Sequence, residues 1–143
     1  EYVDELISQG RLKPTKPVNI SMTYHDSCYM GRHNDVYDPP RRIAKAIPGL
    51  ELIEMTRRRE RGFCCGAGGG HMWMEESGGK RINHARTEQF LETEGSTLGV
   101  SCPFCLQMFD EGIGSLGVQD TKQTKDLLEI LAESIEVGEE EEG

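Results

Sequence analysis

The chain has 143 residues, 36% hydrophobic and 6% aromatic, with a formal net charge of −9; that is long enough for one domain with a buried core. An acidic chain lacks the basic face that phosphate neutralisation needs, which argues against nucleic acid as a partner. No stretch approaches the ~20 apolar residues of a membrane span, and no signal peptide is visible.

The first residues, EYVDELISQG, place Val3, Leu6 and Ile7 at helical spacing and stop at Gly10. Lys13-Pro14-Thr15-Lys16-Pro17 reads as an extended linker, because each proline disfavours helix before it. Val18 to Tyr24 alternates with period two, so a strand is expected there, delivering His25-Asp26-Ser27-Cys28 into a loop. Asp38-Pro39-Pro40 opens a helix that runs to Ile47 and stops at Pro48-Gly49. Leu50 to Met55 reads as a second strand. It is followed by Arg57, Arg58, Arg59 and Arg61, then by Cys64-Cys65-Gly66-Ala67-Gly68-Gly69-Gly70.

A longer helix is expected from about Gly79 to Glu94, with Ile82, Ala85, Gln89 and Phe90 on one side. Thr97 to Ser101 is β-like and delivers Cys102-Pro103-Phe104-Cys105, where the proline suits a helix start. A fourth strand is expected at Gly117 to Asp120. A last helix over Thr124 to Ile135 carries Leu127, Leu128, Leu131 and Ile135. The alternation of strands and helices predicts an α/β fold: a small, mainly parallel sheet flanked by helices, with cysteine-bearing loops at the C-terminal ends of its strands. In such a sheet those ends share one edge, so residues far apart in sequence can converge.

The expected organisation is a leading helix and linker over residues 1–17, a cysteine-rich domain over 18–135, and an acidic disordered tail over 136–143. Glu136 and Glu139 to Glu142 make that tail. A start at Glu1 without an initiator methionine suggests a domain cut from a longer protein.

Five cysteines are present, Cys28, Cys64, Cys65, Cys102 and Cys105. An odd number in a chain with no secretory signal speaks against a disulfide framework and for metal ligands or redox groups in the reduced cytoplasm. The pattern is Cys28-x35-Cys64-Cys65-Gly66-x35-Cys102-x2-Cys105. At a helix start, the CxxC pair has exposed N–H groups and the positive end of the helix dipole beside it, both of which favour thiolates. Gly66 and Gly68 free the backbone to approach inorganic sulfide closely. CxxC alone is shared with zinc ribbons and thioredoxin-like sites. Four ligands satisfy zinc, so five converging thiols suit an extended iron–sulfur cluster better.

With its CCG run and flanking Gly62-Phe63 and Cys102-Pro103-Phe104-Cys105, this arrangement resembles the CCG, or cysteine-rich, domain of the heterodisulfide reductase-like iron–sulfur oxidoreductases. Members of that family include iron–sulfur subunits serving glycolate, lactate, glycerol-3-phosphate and electron-transfer-flavoprotein oxidation. The resemblance covers about residues 18–135 and matches all five cysteines. It implies an electron-transfer domain of an oxidoreductase, with a noncubane [4Fe–4S] cluster favoured and [2Fe–2S] or zinc as alternatives. It also implies flavin-containing or ferredoxin-like partners, through which the domain could associate with a membrane. The other reading is a structural zinc- or cluster-bearing scaffold that docks a flavin-containing subunit.

The remaining features are weaker. The glycine run has neither a GxGxxG register nor a GK[ST] ending and is not a phosphate loop. The arginine cluster reads as solvated charge, or as compensation for a negative cluster or an acidic partner. His25 and His71 lie near cysteines and could bond sulfide or metal, while His33 and His84 read as surface or helix residues. Met72, Trp73 and Met74 could shield a cluster. Ser27 has no nucleophile-elbow context.

Overall fold

The computed structural model describes residues 1–67 and 81–136. Among them are five helices and four strands: α1 (Tyr2–Ser8), β1 (Ser21–Tyr24), α2 (Asp38–Ala46), β2 (Glu51–Leu52), α3 (Ile82–Leu91), β3 (Thr97–Val100), α4 (Pro103–Ser115), β4 (Gln123–Asp126) and α5 (Leu127–Ser134). A 3₁₀ turn covers Arg59–Arg61. The expected glycine-rich continuation at Gly68 to Gly70, His71, the Met72-Trp73-Met74 group and the tail beyond Glu136 lie outside the described residues.

The four strands form one parallel sheet in the order β2-β1-β3-β4. From β1 the chain moves outward to β2, and from β3 it moves outward the other way to β4. The direction therefore reverses between β1 and β3, the position where open parallel sheets form their sites.

Strand alternation divides the apolar residues between two faces. Met22 and Tyr24 of β1 pack with Ile43, Ala44 and Ile47 of the α2 segment and Leu127, Ile130 and Leu131 of α5. Leu98 and Val100 of β3 pack on the opposite side with Phe90 of α3 and Met108, Phe109 and Ile113 of α4. The register sets Tyr24 beside Gly99. A Cβ on Gly99 would stand 2.6 Å from Met22 Sδ, so glycine there makes room for Met22. The leading segment joins the first face: Val3, Ile7 and Leu12 pack on it, and Arg42 of α2 holds Asp4 of α1 at 2.6 Å. The backbone N–H groups of Thr15 and Lys16 bond the Ser134 carbonyl, laying the proline-rich linker along the end of α5.

Three sequence expectations shift. The fourth strand is Gln123–Asp126, not Gly117 to Asp120, whose backbone instead turns through Gly117 at φ +70°. Thr124 therefore lies in a strand, and the last helix starts at Leu127 behind the Asp126 carboxylate, which accepts the Leu128 N–H at 2.8 Å. The buried side of α3 is Asn83, Arg86, Thr87 and Phe90 in place of the predicted Ile82, Ala85 and Gln89. A polar helix face buried against α4 needs partners: Asn83 Nδ2 donates to the Met108 carbonyl, Thr87 Oγ1 to the Asn83 carbonyl, and Arg86 Nε to His25.

Helices α3 and α4 cross closely at Gly112, where a Cβ would collide with Thr87 Oγ1, already bonded to the Asn83 carbonyl. Gly112→Ala is therefore expected to destabilise the protein by about 1–3 kcal/mol through overpacking, seen as a lower urea midpoint at unchanged slope.

Candidate metal centre

Strand β1 ends at Tyr24 and releases His25, Asp26 and Ser27, all buried, followed by the exposed Cys28. The turn is held from the side by α2. Asp26 accepts Arg41 Nη1–H and Nη2–H at 2.7 and 2.8 Å, and its Oδ2 also accepts the Arg59 backbone N–H at 2.8 Å. Arg41 spends its remaining donors on the Glu54 carboxylate, at 2.7 and 3.1 Å, and on the Tyr37 carbonyl at 2.8 Å. Burial alone would lower the Arg41 pKa, but the hydrogen bonds to Asp26 and Glu54 outweigh it and raise the value. The guanidinium is thus a permanent cation with every N–H used. Arg59 itself adopts φ +53°, a left-handed conformation that its N–H bond to Asp26 helps to hold.

The second cysteine group follows β2. Cys65 is buried and Cys64 partly exposed. Gly66 has φ +96°, and a Cβ there would meet Asn83 N at 3.1 Å and Met108 Cε at 3.3 Å. Glycine is required on both counts: its φ lies where side chains rarely go, and its backbone lies against α3 and α4. Its N–H donates to Cys64 Sγ at 3.3 Å.

The third group opens α4, as the sequence predicted. Cys102 is the N-cap, Pro103 the first helical residue, and Cys105 lies in the first turn with its thiol buried. The unpaired N–H groups of that turn place partial positive charge beside it. Cys105 Sγ lies 3.5 Å from Cys65 Sγ, at hydrogen-bonding contact, and none of the five cysteines is in a disulfide.

His25 stands beside this sulfur pair. It offers a ring nitrogen that, with Cys65 Sγ and Cys105 Sγ, forms a group whose atoms all lie within 4.8 Å of one another. Its ring packs edge-on against Phe109, with centroids 4.8 Å apart. Behind it is Arg86 of α3, which is 0% exposed and donates Nε–H to His25 Nδ1 at 3.1 Å. Burial lowers the His25 pKa well below its ordinary value, and the Arg86 charge adds to that. Burial also pulls Arg86 down to about 10, with Asp26 opposing, so it stays protonated at neutral pH.

The structure therefore brings Cys65 and Cys105 into contact with each other and places a His25 ring nitrogen within 4.8 Å of both. Cys28, Cys64 and Cys65 line a cavity of about 50 Å³ with His25, Asp26 and Arg59. Cys102 packs against the same apolar cluster as Cys65 and Cys105. The cavity is far below the roughly 300 Å³ at which organic cofactor pockets begin. Gly68 and His71 lie outside the described residues. His33 stacks near the exposed Tyr29, with ring centroids 5.5 Å apart. Of the arginine cluster, Arg57 lies over the Phe63 ring at 4.8 Å, Arg58 bonds the Met55 carbonyl, and Arg59 holds Asp26 and Asp38.

Sequence reasoning missed Asp26, Arg41 and Arg86 as parts of the site. The available signal was periodic: Asn83, Arg86, Thr87 and Phe90 share one face of α3, a polar stripe on the side that must be buried.

The donor set suits an anionic sulfur-bound group. The five cysteines are not joined by disulfides, a backbone N–H already reaches one of them, and Arg86 leaves Nη2 without a partner among the described residues. Residues 22–110 match the cysteine-rich domain family, CCG. The chain belongs to that family. The chain is 53% identical over 94% of its length to a probable iron-sulfur-binding oxidoreductase, FadF, of Bacillus subtilis, covering 19% of that protein. It is 43% identical over 95% of its length to the EtfAB:quinone oxidoreductase of Syntrophomonas wolfei, covering 20% of it. It is also 34% identical over 94% of its length to one subunit of the dihydromethanophenazine:CoB–CoM heterodisulfide reductase of Methanosarcina barkeri, covering 32% of that polypeptide. The chain thus spans between a fifth and a third of these relatives.

Two outcomes follow from the geometry. Arg41→Met leaves the buried Asp26 carboxylate uncompensated and is expected to cost about 3–5 kcal/mol, measured by urea unfolding. In metal-free protein the contact with Cys105, reinforced by burial, raises the Cys65 thiol from 9.0 to about 12. The folded state then holds this proton more tightly than the unfolded one, so stability is full below about 9 and falls as pH rises towards 12. The urea midpoint of metal-free protein should decline across that window, and less steeply in Cys65→Ser.

Proposed function

We propose that this chain is an iron–sulfur electron-transfer domain of a heterodisulfide reductase-like oxidoreductase, forming part of a longer subunit. Cys28, Cys64, Cys65, Cys102 and Cys105 supply the thiolates, and Gly66 lets the backbone come close to sulfide. The observation that carries this reading is the buried sulfur pair, Cys65 and Cys105, 3.5 Å apart without a disulfide at the point where the sheet reverses direction. A noncubane [4Fe–4S] cluster is favoured over [2Fe–2S], since five cysteines in three loops exceed the four thiolates of an ordinary cluster. The names of the relatives, iron-sulfur oxidoreductases and a heterodisulfide reductase subunit, agree with it.

When bound, such a cluster supplies one-electron storage at a potential set by hydrogen bonds, burial and net charge. This chain's residues provide those settings. Phe90, Phe109 and Met108 exclude water from the inner side, since each is at most 4% exposed. Gly66 N–H reaches Cys64, and the first turn of α4 points its free N–H groups towards the site. On the outer side, exposed Cys28, Tyr29 and Phe104 mark where a partner's redox centre would approach. Flavin-containing or ferredoxin-like domains are the expected partners, as the electron-transfer-flavoprotein and quinone terms in one relative's name suggest. No described helix is long and apolar enough to cross a membrane. A cytoplasmic setting, with any membrane contact made through partners, fits cysteines that form no disulfide.

A second reading is a zinc-bearing scaffold, favoured by the three-residue group of His25, Cys65 and Cys105. Metal and sulfide analysis of anaerobically purified protein, with an electron paramagnetic resonance spectrum, separates the two. Iron and acid-labile sulfide in near-equal amounts are expected, at least halved in Cys65→Ser and Cys102→Ser. Zinc without sulfide would replace the redox reading with the scaffold.

A further inference from the structure

Arg86 is the buried cation that neither the sequence motif nor the thiolate set explains. It makes no hydrogen bond to a carboxylate among the described residues: Nε bonds His25 Nδ1 at 3.1 Å, and Nη1 bonds the Arg57 carbonyl at 2.9 Å and Gln89 Oε1 at 2.7 Å. Its Nη2 has no partner there, although the residue is 0% exposed. An isolated buried charge is costly unless an opposite charge offsets it. A cluster held by several thiolates carries that opposite charge.

The bond to His25 also fixes a proton. A guanidinium has five donors and no acceptor, so Nδ1 must present its lone pair to Arg86. A neutral imidazole carries one proton, which therefore lies on Nε2. Histidine ligates metal through a nitrogen lone pair while its other nitrogen holds the proton. With Nδ1 committed to Arg86, the nitrogen left to meet a sulfur-bound group is Nε2, and it carries hydrogen.

From this arrangement we infer that His25 is a hydrogen-bond donor to sulfur at the Cys65–Cys105 pair and not a metal ligand, and that Arg86 is the positioning residue that imposes this. The inference rests on the iron–sulfur reading and goes further by assigning the pair a role in setting the potential. A donor to sulfur and a nearby cation both favour the more negative, reduced state, so the pair raises the reduction potential. Coordination would instead have added a nitrogen ligand to iron.

The test uses anaerobically purified full chain labelled with nitrogen-15 in histidine, examined by pulsed electron–nuclear spectroscopy and redox titration. Weak nitrogen coupling is expected, since the ring is hydrogen-bonded to sulfur rather than bound to iron. His25→Gln can still accept from Arg86 and donate to sulfur, so it should keep iron, sulfide and a near-normal potential. Arg86→Met should keep the cluster but lower the potential by at least a tenfold change in the one-electron equilibrium, about 59 mV. Arg86→Lys should recover part of that shift. Strong nitrogen coupling, or loss of iron in His25→Gln, would overturn the inference, as would an unchanged potential in Arg86→Met. Should Arg86→Met fail to fold, the wild-type nitrogen coupling still decides between donor and ligand. Wild-type protein without iron and sulfide would instead defeat the functional reading itself, a result distinguishable from a strong coupling in loaded protein.

Discussion

The guanidinium of Arg41 ties together the segments that build the sulfur-bearing edge. It bridges Asp26 after β1 and Glu54 after β2, and Asp26 in turn holds the backbone of Arg59. Both cysteine loops that leave this half of the sheet start from residues fixed by that one cation. Its five donors match the acceptors around it, so the buried charge is satisfied. A lysine could not reproduce the arrangement, because the planar fork is what reaches two carboxylates at once.

The other half of the site rests on backbone geometry. The sheet reverses its winding between β1 and β3, so the turn carrying His25 and the start of α4 carrying Cys102 and Cys105 leave adjacent strands. Gly66 brings the chain against both α3 and α4 at a φ that glycine adopts freely. With these constraints two thiols from different loops lie side by side in an apolar setting. Without a metal, contact with Cys105 and burial keep the Cys65 proton in place. A metal reverses that preference, which couples loading to proton release.

Much of this was legible in the sequence. The order of strands and helices followed from alternation, from Asp38-Pro39-Pro40 and from Pro103, and the cysteine spacing pointed to one shared edge. What escaped has physical reasons. Strand β4, Gln-Thr-Lys-Asp, is a polar edge strand defined by its ladder to β3 and not by apolar alternation. The buried face of α3 is polar because Asn83 and Arg86 face α4 and the site, so a search for apolar spacing chose the wrong side. Arg41 carried no signal beyond its place in the predicted helix, since a buried arginine is defined by acceptors that only the folded chain assembles. Ile130 was passed over for Leu128, which is 48% exposed, because the leucine run offered two neighbouring helical registers.

Delivery of all five cysteines by three loops to one iron–sulfur group is the central claim. An anaerobic crystal structure with anomalous diffraction recorded at the iron and zinc edges tests it most directly. Iron density in contact with the sulfurs of Cys28, Cys64, Cys65, Cys102 and Cys105 is the expected result. Zinc density held by Cys65 and Cys105, with Cys28 and Cys64 left facing solvent, would contradict it.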